Sequence, residues 1–200
     1  MRLIFYILIL LSVLLPQDQI FVGTRPLGMG GAFIAVADDG NTITWNPAGL
    51  PRLRRKEFTS SYADLYAMNI THSYAGVVWP FGDRIAIGFD WSNIGFDDQE
   101  LNYSENKLNF SLGYQPIKML SIGGTFKYLS RDMGLDGTSY GKTSGIGYDI
   151  GLLFSPFKKL RFGMGVYDLG GTDVTYKQNK VDETILGQAF KLGIAYFPVD

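Results

Sequence analysis

The sequence predicts an all-β protein: an antiparallel, up-and-down transmembrane β-barrel of the outer-membrane type, with about eight strands present and the barrel incomplete. Three observations carry this reading. Apolar residues alternate with small or polar ones through one short segment after another. Short turns containing Pro alternate with long polar connections, as at the two rims of an outer-membrane barrel. Charged residues make up 18% of the chain, below the roughly 25% of soluble domains.

Composition narrows the function before any motif is read. Lys plus Arg is 18 and Asp plus Glu is 19, a net charge of −1. That balance lacks the basic excess of a nucleic-acid binder, so no nucleic-acid partner is expected. The chain has no Cys, which excludes disulfides, thiolate metal sites and cysteine nucleophiles. His72 is the one histidine, so a multi-histidine metal site cannot form. His72 and Ser73 are sequence neighbours that point to opposite faces of a strand, not a hydrolase pair. No catalytic residue, metal or cofactor is expected, and the protein is read as not an enzyme.

The first segment reads as an address. Met1 and Arg2 precede an apolar or small run from Leu3 to Leu15, closed by Pro16-Gln17-Asp18-Gln19. Thirteen helical residues reach only about 20 Å, short of the ~30 Å hydrocarbon core. Residues 1–17 therefore read as a signal peptide for export.

Strands follow. Ile85, Ile87, Phe89 and Trp91 alternate with Arg84, Ala86, Gly88 and Asp90. Leu108, Phe110, Leu112 and Tyr114 do the same against Lys107, Asn109, Ser111 and Gly113. Further segments run through Ile122–Tyr128, Tyr148–Phe154, Leu160–Val166 and Phe190–Tyr196. Weaker alternation marks Glu57–Tyr66 and Ser73–Trp79. Each is near the 9–11 residues of a tilted membrane strand.

Pro80, Pro116, Pro156 and Pro198 sit in short turns spaced 36, 40 and 42 residues apart. The spacing is that of a repeated hairpin, and Pro belongs in turns because it cannot donate to a ladder. The intervening connections, Asn93–Asn106, Ser130–Ser144 and Asp168–Gln188, read as long polar loops. A soluble barrel with its apolar face inward would carry many Lys and Glu on the other face. Here that face carries mostly Gly, Ser, Ala and Asn, which suits a crowded interior.

Residues 18–55 have no place in the strand pattern and read as a plug inside the barrel. Gly28-Met29-Gly30-Gly31 does not continue as a dinucleotide fingerprint, because Phe33 stands where Gly is needed and no strand precedes it. Ala32–Ala37 is expected to form a short helix ended by Asp38-Asp39-Gly40. Asn46-Pro47 is a turn initiator.

The string GMGGAFIAVADDGNTITWNPAGL resembles the N-terminal motif of the FadL-type outer-membrane transporters, and still more that of the related PorV/PorQ family. The resemblance is specific over roughly the Gly23–Leu50 stretch and beyond it is one of architecture. It implies a barrel of fourteen strands with an N-terminal hatch in its lumen. Gly28, Gly30, Gly31, Asn46, Pro47, Ala48 and Gly49 are then the hatch motif. In the FadL group the hatch gates hydrophobic molecules, so that likeness implies a channel for compounds such as long-chain fatty acids. PorV-like members instead hold exported proteins at the outer membrane in type IX secretion. The partners implied are outer-membrane lipid and either a hydrophobic small molecule or an exported protein, at the outer membrane of a Gram-negative-type bacterium. An eight-stranded barrel is just filled by its own side chains and has no room for such a hatch. Residues 56–200 are accordingly read as the N-terminal part of a longer barrel.

Orientation completes the expectation. Ile85, Phe89, Phe110, Ile150, Phe162, Leu192 and their strand-mates should face lipid on the convex side. Arg84, Asp90, Lys107, Lys127, Asp149 and Arg161 should line the lumen, with lysines pairing to Asp90 and Asp149. Gly23–Leu50 should lie against that same concave side.

Overall fold

A computed structural model describes residues 23–65, 68–97, 101–135, 138–175 and 183–198. The signal-peptide reading of residues 1–17, and the first residues, 18–22, of the plug reading, lie outside these.

The architecture is one eight-stranded antiparallel sheet. Its strands are β1 (Glu57–Leu65), β2 (Ile70–Phe81), β3 (Ile85–Asp97), β4 (Leu101–Ile117), β5 (Leu120–Leu135), β6 (Thr138–Phe157), β7 (Leu160–Tyr167) and β10 (Ala189–Tyr196). They pair in sequence order, so the topology is a plain meander with β1 and β10 at the edges. Between β7 and β10 the chain makes a separate hairpin of β8 (Thr172–Thr175) and β9 (Glu183–Leu186). All eight segments of the alternation pattern are strands of the one sheet.

The two faces differ as the alternation requires. On the outer face Ile85, Phe89, Trp91, Leu108, Phe110, Leu112, Ile150, Phe162, Met164, Leu192 and Ile194 are all exposed. On the inner face of β3, Ala86, Gly88, Asp90 and Ser92 are all buried. Register aligns the apolar residues into a belt. One boundary row pairs Trp91 with Leu108, Leu108 with Tyr128 and Tyr128 with Ile146. Towards the short turns another row pairs Ile85 with Tyr114, Tyr114 with Ile122 and Ile122 with Leu152. At the first boundary the Trp91 indole donates to Asn106 Oδ1 at 3.2 Å, giving the ring's polar end a partner beyond the apolar row.

The long connections differ from expectation. Asn93–Asn106 and Ser130–Ser144 are mostly strand: β4, β5 and β6 have 17, 16 and 20 residues. Their extra length continues past the belt as a ribbon whose outer side is polar, with Asn93, Asn106, Ser130, Asp132, Lys142 and Ser144 there. Such a stretch shows no apolar period, yet its ladder persists through side-chain ties across the strands. Asn93 Nδ2 donates to Ser104 Oγ at 3.1 Å, and Glu105 Oε2 meets Arg131 Nε at 2.6 Å.

Residues 23–55 lie on the inner face. They form α1 (Thr24–Gly28), α2 (Thr42–Trp45) and a 3-10 helix, Pro47–Arg52. The helix expected at Ala32–Ala37 is instead a run of turns. Gly30 and Gly31 hold φ of 62° and 79° just before it, a conformation that a right-handed helix does not continue. The buried apolar core is shared between this segment and the sheet. Phe33, Ala35, Val36, Trp45 and Ala48 pack with Leu153 and Ala195, while Ile43, Leu50 and Leu53 pack with Val78 and Ala86.

Candidate functional site

The site is built on glycines that the sheet presents to the segment. A side chain at any of them would collide with it. A Cβ on Gly113 would stand 2.5 Å from Pro51 Cδ, and one on Gly123 2.3 Å from the Pro47 carbonyl carbon. One on Gly163 would stand 2.4 Å from the Ile34 carbonyl oxygen, and one on Gly193 2.3 Å from Ile34 Cγ2. Register makes Gly113, Gly123, Gly151 and Gly165 consecutive across β4 to β7. The backbone at Ile34–Ala35 and at Pro47–Ala48 therefore rests directly on the backbone of the wall. The glycine content of the sequence signals crowding, but only the register shows that these glycines form one floor.

Asn46 fixes the segment at its centre. Preceding Pro47, it is extended (φ −163°, ψ 99°), as the residue before a proline prefers. Its Oδ1 accepts from the Ala48 amide at 3.1 Å and caps the 3-10 helix. Its Nδ2 donates to the Ile34 carbonyl at 2.7 Å and to the Leu152 carbonyl of β6 at 3.3 Å. Side-chain amide groups are used at both ends, so one residue ties two stretches of the segment to the wall. Pro47, Ala48 and Gly49 are also buried. Gly49 leaves no room for a side chain, since a Cβ there would lie 2.3 Å from the Ala37 carbonyl oxygen. Gly28, Gly30 and Gly31 are different in kind. Gly28 and Gly30 are exposed with nothing near their α-carbons, and Gly31 lies beside the Trp45 ring.

Further ties surround this centre. Tyr167 donates its hydroxyl to the Trp45 carbonyl, and Arg161 donates to the Val36 carbonyl. Lys191 Nζ lies 5.4 Å from the centre of the Trp45 ring and 4.8 Å from that of Tyr167. Thr44 donates to Asp90 Oδ2 at 3.0 Å, and Asn109 donates to Asp90 Oδ1 at 2.8 Å. Arg52 donates to Ser155 Oγ at 3.0 and 3.1 Å. Burial, followed by repulsion from Arg161 and Arg54, lowers the Arg52 guanidinium to about 10. At the outer end of the segment Arg25 meets Asp38 at 2.6 Å and Asp39 at 2.7 Å. Hydrogen bonds to Asp38 and then Asp39 raise the Arg25 pKa, so its charge is secure.

Lys127 heads a second cluster. Its Nζ lies 2.7 Å from Asp149 Oδ1 and 2.6 Å from Asp168 Oδ1, with all three side chains under a tenth exposed. Asp168 ends β7 at φ 50° and turns the chain off the sheet. Its amide donates to Asp149 Oδ1 at 2.9 Å, and its carboxylate accepts from Thr172 Oγ1 at 2.7 Å. The hairpin that follows lies on the inner face of β6, where Gly145 and Gly147 leave room for Thr172, Asp173 and Val174. Between this hairpin and the wall, Glu105, Lys107, Lys127 and Arg131 border a cavity of about 30 Å³.

The residues singled out from sequence thus divide. Asp90, Lys127 and Asp149 are buried on the inner face, and Lys107 and Arg161 are half-buried there. Lys127 pairs with Asp149, whereas the hydrogen bonds of Asp90 come from Thr44 and Asn109. Arg84 sits in the turn between β2 and β3 and is exposed, away from the inner face. Turn geometry ends its alternation one residue before β3 begins. Asp168 was not legible because it lies beyond the strand pattern, inside what reads as a loop. Among the described residues no group of three or more His, Cys, Asp or Glu side chains is arranged to hold a metal ion.

No protein-family model matches the chain, and no curated protein matches it. Among solved structures it is similar to the CymD monoaromatic hydrocarbon channel, at a TM-score of 0.60 and 15% sequence identity. The match covers 90% of this chain and 61% of that one. At that identity the likeness is one of fold: the antiparallel wall of an outer-membrane-type barrel.

Proposed function

We propose that this chain forms wall and hatch of an outer-membrane channel for hydrophobic compounds, with residues 23–55 as the hatch. The observation that carries this is the seating of that segment on the glycine floor, inside a wall whose other face is an apolar belt. The fold neighbour is a hydrocarbon channel, which favours the same reading. Passage needs no chemistry from the protein. A ligand leaving water gains about 25 cal/mol for each Å² of apolar surface buried, and the hatch is the barrier it must displace. Gly28, Gly30, Gly31, Asn46, Pro47, Ala48 and Gly49 would set that barrier, the exposed glycines as its flexible end and Asn46–Gly49 as its anchor. Asp90, Lys107, Lys127, Asp149 and Arg161 would line the lumen.

The substrate class extends from monoaromatic hydrocarbons to long-chain fatty acids. Cells with and without the gene would be given a labelled hydrocarbon and a labelled fatty acid. Faster uptake of at least one by cells carrying the gene supports the channel, and equal uptake of both removes it. The rival is a PorV/PorQ-like accessory role in type IX secretion, which the polar ribbon of β3–β6 beyond the belt would serve as a contact surface. Co-purification of exported proteins, lost when that ribbon is shortened, would favour the rival.

A further inference from the structure

The short-turn rim carries a charge that neither the hatch nor the lumen uses. Arg54, Arg55 and Lys56 lead into β1, Arg84 sits in the β2–β3 turn, Lys118 in the β4–β5 turn, and Lys158 and Lys159 in the β6–β7 turn. All seven are exposed. Among the described residues of this rim they meet two acids, Glu57 and Asp83, which pair with Arg55 at 3.7 Å and Arg54 at 3.0 Å. The rim is therefore strongly positive on a chain whose net charge is −1.

Its position relative to the belt identifies what it meets. Phe81, Ile117, Met119 and Phe157 are exposed in the same turns, so apolar belt and basic residues adjoin within one or two positions. Lys56 Nζ stands 3.4 Å from the centre of the Trp79 ring, on a side chain of the belt. An alternation of exposed apolar and basic groups at one depth fits the boundary between acyl chains and headgroups. Basic residues held at that boundary attract anionic lipids. We infer that the short-turn rim binds the phosphates of anionic glycerophospholipids in the leaflet it faces, with Arg84, Lys118, Lys158 and Lys159 as the principal contacts. This rests on the membrane reading of the belt.

The test uses the protein reconstituted into vesicles of phosphatidylcholine, and of phosphatidylcholine mixed with phosphatidylglycerol, with spin-labelled lipids of both kinds. Spectra that resolve motionally restricted lipid give the relative association of the two headgroups. Phosphatidylglycerol is expected to be preferred on the order of threefold or more at low salt, because each nearby basic residue contributes. High salt should abolish the preference, since exposed charges are screened. The variant Arg84→Gln/Lys118→Gln/Lys158→Gln should lose most of it while entering vesicles as the parent does. Entry with equal association of both lipids overturns this inference alone and leaves the rim as a contact for an acidic protein partner. A preference unchanged in the triple variant also overturns it. Failure to enter either vesicle overturns the membrane reading along with it.

Discussion

Gly151 of β6 lies directly against Asn46 of the N-terminal segment: a Cβ on Gly151 would stand 2.1 Å from Asn46 Oδ1 and 2.9 Å from Pro47 Cδ. Asn46 cannot give way, because it is fully buried and its amide is bonded at both ends. The absence of a side chain at Gly151 thus makes room for Asn46 at its seat on the wall.

Gly151→Ala should push the segment off the wall at a cost of about 1–3 kcal/mol, the usual range for overpacking. Gly124→Ala, one strand away, is the control, since its Cβ would meet nothing nearer than the Asp149 carbonyl oxygen at 3.7 Å. Limited proteolysis within residues 23–55 is the readout. Faster cleavage is expected in the first variant and parental cleavage in the second.

Asn46→Ala should cost about 1–3 kcal/mol, because the Ala48 amide and the Ile34 carbonyl lose partners in a buried place. Asn46→Asp keeps the acceptor for Ala48 but sets a carboxylate oxygen against the Ile34 carbonyl. It should be no better than alanine, despite its similar size. Urea unfolding of the two variants in detergent would compare them.

Lys127→Met strands two buried carboxylates, Asp149 and Asp168, and should cost about 3–5 kcal/mol. Adding Asp168→Asn should recover part of the loss by removing one of those charges. Because Asp168 leads into the β8–β9 hairpin, the single variant should also become sensitive to protease between residues 168 and 188. Mass spectrometry of the fragments locates the cut.

The strands were legible because each has one face in an apolar belt and one against small residues, and that contrast is written in the period of two. Where the contrast ends, so does the signal. Asn102–Asn106 and Ser130–Asp132 are strand without an apolar outer face, and they read as loop. The short helix expected at Ala32–Ala37 failed because Gly30 and Gly31 fix a different backbone path and Phe33 must enter the core. The pairing of Lys127 with Asp149 could be anticipated from their shared face. Asp168 could not, since it joins them only through a turn at positive φ. The glycine floor was half visible: an unusual glycine content is plain in the sequence, but a residue with no side chain leaves no pattern to show which backbone it touches.

A charge on the belt should be costly and one on the ribbon should not. Phe110→Lys, in the middle of the outer face, is expected to lower stability in bilayers by about 2–4 kcal/mol. Ser130→Lys, on the same face past the belt, should change it by no more than about 0.5 kcal/mol. Denaturant titration in vesicles measures both.

The outer face should meet lipid while the inner face meets residues 23–55. Because the chain has no cysteine, a single introduced one reports its surroundings without background. Phe110→Cys and Ile150→Cys on the outer face would be compared with Ser130→Cys on the ribbon, each in outer-membrane vesicles. A water-borne maleimide should label Ser130→Cys and spare the other two, and a quencher dissolved in lipid should reach a fluorophore attached at Phe110→Cys or Ile150→Cys alone. Labelling of Phe110→Cys and Ile150→Cys from water, with no quenching from lipid, would show that the outer face does not meet lipid.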